Sequence, residues 1–163
     1  MLFPRGSVQS PLVAVSGFMP EALALARRAA AEGEVPVGCV IVRDGVVVGR
    51  GYNTREADQN ALAHAELTAI GEACKAVGFW RLPDCEMFVT LEPCPMCAGA
   101  VINARIGKLV YGAPDPKAGA CGSVIDLFSH PFNHKPLVTG GVMAEESAEL
   151  LTAFFKHLRK KNR

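Results

Sequence analysis

EMFVTLEPCPMCAGAVINARIGKLVY, residues 86–111, is the stretch whose reading decides the fold. Glu86 to Leu91 is strand-like. Pro93 breaks the strand, and Pro95 stands at the first helical position, where a missing amide donor is tolerated. A helix is expected from Pro95 to about Ala104, followed by a further strand from Lys108 to Tyr111. Two strands joined through a helix-length connection form a crossover unit, which makes them parallel neighbours.

Upstream of this unit, Pro20 to Glu32 combines an early proline with strong helix formers and a stop at Gly33, which predicts a first helix. Val37 to Val42 and Val46 to Tyr52 are β-branched runs separated by Asp44-Gly45, a dipeptide that supplies the positive φ angles of a tight hairpin. His64 to Val77 places Leu67, Ile70 and Cys74 at helical spacing among Glu66, Glu72 and Lys75, an amphipathic helix closed by Gly78. Downstream, Gly112 to Gly122 reads as loop and Val124 to Phe128 as a short helical piece. Leu137 to Thr139 reads as strand, and Leu150, Leu151, Phe154, Phe155 and Leu158 form the apolar stripe of a last helix. The order of elements predicts an α/β protein, with helices packed on the faces of a mixed sheet.

A chain of 163 residues, half of them hydrophobic, buries one substantial core and is too short for two. The expected organisation is one domain, residues 19–163, preceded by a loosely ordered extension, residues 1–18. A net charge of +1 exerts no global pull on polyanions, so any nucleic-acid contact must come from a local patch. Six cysteines in a domain of this size need no disulfide framework, and reduced thiols suit a cytoplasmic protein. The first residues, interrupted by Pro4, Ser7, Gln9, Ser10 and Pro11, make a poor signal peptide. No segment reads as a membrane span, so no membrane partner is expected.

The chemistry is concentrated in four residues. Cys94 and Cys97 lie one helical turn apart at a helix start, where the dipole favours thiolates. His64 begins the other helix, so two helix starts can converge on one ion. One imidazole and two thiolates leave a tetrahedral position open for water, the pattern of a catalytic zinc site rather than a structural one. Glu66 is the candidate proton acceptor and donor for that water. Residues two apart do not share a face of a regular helix, so His64 and Glu66 act together only if the pocket wraps around the first turn. Taken singly, Cys-x-x-Cys is most often a redox pair or half of a structural zinc site. His-x-Glu followed by Pro-Cys-x-x-Cys is the signature of zinc-dependent nucleobase deaminases.

Beyond this motif the chain resembles the bacterial tRNA-specific adenosine deaminases from about Met19 to Lys161. The segments that carry the resemblance are Glu34-Val35-Pro36-Val37-Gly38, Ala63-His64-Ala65-Glu66, Thr90 to Ala100, Tyr111 to Gly119, Phe132-Asn133-His134 and Phe154-Phe155-Lys156. The resemblance implies a three-layer α/β/α cytidine-deaminase-like fold with a five-stranded mixed sheet, assembled as a homodimer. It also implies one Zn2+ per subunit on His64, Cys94 and Cys97, with Glu66 as proton shuttle. Asn53, Ala65, Asp115, Lys117 and Phe155 are the substrate-binding candidates it implies. Many members have Asp-Pro-Thr where this chain has Asn60-Ala61-Leu62, so the loop entering the site departs from the common pattern. Cys39 and Cys121 are read as packing residues.

The expected reaction is hydrolytic deamination of adenosine to inosine at the wobble position of a tRNA anticodon stem-loop, with no nucleotide cofactor. Its bases are already partly unstacked, which lowers the cost of extruding one. Lys156, Arg159, Lys160, Lys161 and Arg163 form a basic end to the last helix, a candidate RNA contact or equally a solvated tail favoured by the helix dipole. The metal motif alone equally suits a deaminase of a free base or nucleoside such as guanine, cytosine or adenosine. An alternative of another class is a non-catalytic, zinc-stabilised RNA-binding module.

Overall fold

The computed structural model describes residues 17–163, so most of the expected N-terminal extension lies outside the described residues. Phe18 is the cap of the first helix and its ring meets that of Phe88 at 5.6 Å between centroids. Phe18, the last residue of the expected extension, thus packs against the sheet.

Helix α1 (Met19–Ala31) leads into strands β1 (Gly38–Arg43) and β2 (Val46–Tyr52), then a single helical turn at Arg55–Asp58. Helix α2 (Ala65–Val77), strand β3 (Cys85–Leu91), helix α3 (Pro95–Asn103) and strand β4 (Lys108–Ala113) follow. A 3-10 turn at Leu127–Ser129, strand β5 (Leu137–Thr139) and helix α4 (Ala144–Lys161) complete the chain.

The five strands form one mixed sheet in the order β2-β1-β3-β4-β5. β1 is antiparallel to both β2 and β3, whereas β4 is parallel to both β3 and β5, as the crossover unit requires. Alternation along the strands divides the core into two sides. Cys39, Ile41, Met87, Val89 and Leu109 face α2 and α3. Val40, Val42, Phe88 and Val110 face α1, with Leu150 of α4 packed beside them. The result is the expected three-layer α/β/α architecture.

Three local readings are corrected by the structure. The face that α2 buries is Ala65, Ala69 and Ala73, while Ile70 and Cys74 are only partly buried at its margin. The cause lies on β2, where Gly49 and Gly51 have no side chain to hold the helix off. A Cβ at Gly51 would overlap the Ala65 carbonyl oxygen, and one at Gly49 would overlap that of Ala69. Second, the short helical piece is centred on Leu127–Ser129 rather than Val124–Phe128, because Asp126 caps it by accepting the Phe128 amide at 3.1 Å. In addition, β4 runs through Gly112 and Ala113 before the loop begins.

Candidate active site and metal centre

The C-terminal ends of β2, β3 and β4 lie beside the N-terminal end of β1, since Cys39 pairs with Val89 and Leu91 with Ala113. Ligand sites of open α/β sheets form at such carboxyl ends. Each strand here hands the chain to a segment carrying site residues. β2 leads to Asn53, Arg55 and His64, β3 to Glu92 and Cys94, and β4 to Asp115.

His64 is the N-cap of α2, with extended backbone angles of φ −82° and ψ 150°. Cys94 is the N-cap of α3 and is likewise extended, with φ −72° and ψ 173°. Because His64 stands outside the helix proper, the rule that separates residues two apart does not apply to it. Glu66, in the first turn, turns to the same point. The geometric objection raised by the sequence is thereby removed.

The ligand atoms of His64, Cys94 and Cys97 all lie within 4.8 Å of one another. His64 Nδ1 is 3.7 Å from Cys94 Sγ and 3.5 Å from Cys97 Sγ. Zinc bonds of about 2.0 Å to nitrogen and 2.3 Å to sulfur at tetrahedral angles place such atoms roughly 3.5 Å apart. The donor set and its spacing therefore fit a zinc ion, with three protein ligands and, among the described residues, no fourth in the group. Neither Cys39 nor Cys121 belongs to it.

Electrostatics support the same reading. A hydrogen bond from the Cys97 thiol, aided by His64, pulls the Cys94 thiol down to about 4, so its sulfur is a thiolate at neutral pH. That thiolate, together with burial and Glu66, holds the Cys97 proton far above its usual range. The pair keeps one proton that a dication would displace. The Cys94 sulfur also raises His64. Burial pushes the Glu66 carboxyl up, against the pull of Cys97, and its side chain is only 4% exposed. A carboxyl raised in this way takes up a proton more readily than an exposed one, which suits a group that must accept and return a proton.

His64, Glu66 and Cys94 stand in the wall of a cavity of about 140 Å³, while Cys97 is buried outside its lining. Val35, Val37, Leu91 and Ala118 supply apolar walls, and Asn53, Arg55 and Asp115 supply polar ones. Ala65 lines the cavity as well, but Lys117 and Phe155 do not. The Lys117 amide instead donates to Asp115 Oδ1 at 3.0 Å. Phe155 lies on α4, 42% exposed, with its ring edge-on to Phe154. The loop departure is absorbed locally. Asn60 Oδ1 accepts the Leu62 amide at 2.9 Å, a turn that an aspartate in its place would also make.

Three contributors were not singled out from sequence. Among the described residues, Arg55 is the one Lys or Arg side chain lining the cavity. Glu92 is buried, and its carboxylate accepts the amides of Asp115 at 3.2 Å, Cys121 at 3.0 Å and Ser123 at 3.2 Å, together with the Ser123 hydroxyl. Burial pushes its carboxyl upward, but the Ser123 hydroxyl and the three amides outweigh this and hold it below the usual range. Glu92 thereby fastens the loop that carries Asp115 and Ala118. Glu34 is the third. Long-range loop contacts of this kind leave no periodic trace; a carboxylate just before Pro-Cys-x-x-Cys was the only available hint.

Residues 14–113 match the sequence pattern of the cytidine and deoxycytidylate deaminase zinc-binding region. The chain is 49% identical over 147 residues to a tRNA-specific adenosine deaminase of Bacillus subtilis, covering 90% of this chain and 91% of that one. The chain belongs to the tRNA-specific adenosine deaminase branch of the cytidine and deoxycytidylate deaminase family. Its fold superposes with a TM-score of 0.80, at 48% identity, on a structure from a study of A-to-I editing by tRNA:A34 deaminases at the wobble position of transfer RNA. That match covers 83% of this chain and 99% of the other. A tRNA(Ile)-lysidine synthase of Deinococcus radiodurans is also 49% identical over 159 residues, which are 97% of this chain but 27% of that longer protein. Among the described residues no helix is long and apolar enough to cross a membrane.

Proposed function

We propose that this chain converts adenosine to inosine at the wobble position of a tRNA anticodon loop, consuming water and releasing ammonia. The observation that carries the reading is the buried Glu66 carboxyl beside the His64, Cys94 and Cys97 group, in a chain 49% identical to a tRNA-specific adenosine deaminase. The three ligands hold one zinc per subunit. When bound, zinc supplies a Lewis acid that activates the attacking water.

The remaining steps belong to side chains of this protein. Glu66 takes the proton of the attacking water and delivers it to the ring nitrogen beside the reacting carbon, C6. It then serves the departing ammonia. Asn53 has its Nδ2 tied to the Val35 carbonyl at 3.2 Å and its Oδ1 to the Arg55 amide at 3.0 Å. One amide hydrogen and one lone pair are left for the nucleoside. Ala65 and the valines pack the base, and Asp115 offers its second carboxylate oxygen. Arg55 presents a cation to the RNA backbone at the cavity wall. Lys117, Phe155 and the basic end of α4 serve flanking nucleotides, which extend beyond a cavity of this size.

Residues 19–163 act as a single deaminase domain in the cytoplasm, consistent with six unpaired cysteines. The working assembly is a homodimer; exposed apolar side chains such as Leu137 and Trp80 supply surface for a second copy to cover. The decisive experiment is inosine mapping in tRNA incubated with the purified, zinc-loaded protein, with ammonia release from adenosine, guanine and cytosine measured in parallel. Inosine at the wobble position is expected. Turnover of a small base with no tRNA modification would refute the assignment of substrate while leaving the deaminase chemistry.

A further inference from the structure

Glu34 opens the Glu34-Val35-Pro36-Val37-Gly38 segment, of which the chemistry above uses only the valines and the Val35 carbonyl. Its side chain is 2% exposed, and a buried carboxylate persists only when it is compensated. The compensation comes from backbone. Glu34 Oε2 accepts the Glu56 amide at 3.0 Å and Oε1 accepts the Ala57 amide at 2.7 Å. The Glu34 amide is itself anchored to the Ala29 carbonyl at 2.9 Å, at the end of α1.

The amides of Glu56 and Ala57 belong to the turn Arg55–Asp58, four residues of which none is buried. A helix of one turn cannot sustain itself in water, because it orders several residues for very few hydrogen bonds. Its first amides also lack helical partners. Glu34 supplies those partners with both oxygens of its side chain, one to each amide. The following residues close the other side. Val37 accepts the Asn53 amide at 3.1 Å, and Val35 accepts Asn53 Nδ2 at 3.2 Å. Residues 34–37 thus buckle residues 53–57 at both ends, and the buckle holds Asn53 and Arg55, the amide and the cation of the cavity wall.

We infer that Glu34 is a positioning residue for substrate capture: by holding the Arg55–Asp58 turn it sets Asn53 and Arg55 in the cavity wall, without touching substrate or the metal ligands. This rests on the reading of the cavity as the nucleoside site. Glu34→Gln keeps the shape but turns one acceptor into a donor facing an amide N–H, so one of the two bonds is lost.

The test compares the wild type and Glu34→Gln, both zinc-loaded, for inosine formation in an anticodon stem-loop, zinc content and hydrogen exchange at the Glu56 and Ala57 amides. The expected result is faster exchange at those amides, zinc retained, and KM raised about 10-fold with kcat within about 3-fold. Glu34→Asp, which keeps the charge but cannot reach both amides, is expected to fall between the two and serves if the glutamine variant does not fold. Unchanged KM despite faster exchange overturns the inference, as does a loss of activity in proportion to lost zinc. Wild-type protein that forms no inosine sinks the proposed function and this inference with it, whereas an active wild type matched by Glu34→Gln sinks the inference alone.

Discussion

Gly51 lies so close beneath Ala65 that a Cβ added to it would overlap the Ala65 carbonyl oxygen. Ala65 stands between His64 of the candidate metal group and Glu66, the proposed proton shuttle, so one backbone contact sets both the packing of α2 on β2 and the placement of the site. Gly51→Ala is therefore expected to destabilise the protein by about 3 kcal/mol and to weaken zinc retention. Gly71 on the exposed side of the same helix has nothing within 4 Å of a built Cβ. Gly71→Ala should stabilise by about 0.5–1 kcal/mol through helix propensity alone. Urea denaturation of the two variants, with zinc content measured beside it, checks the opposite signs.

Glu66→Gln keeps volume and burial but removes the carboxyl proposed to carry the proton. Turnover should fall by roughly 10²–10⁴-fold, with zinc content and melting temperature near those of the wild type. Activity within a factor of a few of the wild type would show that another base does this work.

Glu92 predicts a pH dependence of stability. Its folded-state carboxyl is held below the usual range by the Ser123 hydroxyl and the surrounding amides, so the unfolded chain binds the proton more readily. The stabilisation is then fully present above the unfolded value, about 4.3, and is lost as the pH falls through the lower folded value. Glu92→Gln should cost about 2–3 kcal/mol at pH 7, and the gap from the wild type should close in acid. Equal stability of the two proteins at pH 7 would show that the loop bonds contribute nothing.

Zinc binding should release protons. With Cys94 a thiolate and Cys97 still protonated, coordination displaces the Cys97 proton and any proton on His64, so affinity rises with pH. Calorimetric titration of zinc into the chelator-stripped protein, in two buffers of different ionisation enthalpy, reads that release. Chelation is expected to abolish turnover and lower the melting temperature, and zinc to restore both.

What the sequence disclosed and what it hid divide along a physical line. The β3-α3-β4 crossover was legible because Pro93 and Pro95 punctuate it locally, and the ligand set because His64, Cys94 and Cys97 carry their chemistry in residue type. The convergence of His64 with Glu66 was hidden, since it depends on His64 capping the helix in an extended conformation instead of lying within it. The buried face of α2 was misread because hydrophobic periodicity credits Leu67 and Ile70, while the deciding residues, Gly49 and Gly51, sit on another element. The turn Arg55–Asp58 escaped notice for the same reason: its partner is a carboxylate 22 and 23 positions earlier in the chain.

The basic end of α4 is the feature for which sequence offered two equal readings. Arg159, Lys160 and Lys161 occupy the last turn of the helix, where the dipole favours cations whether or not RNA is near. The two readings separate in salt. Phosphate contacts release counterions, so the logarithm of affinity for tRNA falls with the logarithm of salt by about 0.7–0.9 for each phosphate neutralised, whereas a solvated tail leaves the slope unchanged. Replacing Lys156, Arg159, Lys160 and Lys161 with glutamine is expected to flatten the slope by about 2 while leaving zinc content unaltered. A slope equal to that of the wild type removes this helix end from the RNA interface and leaves Arg55 and Lys117 to meet the phosphates.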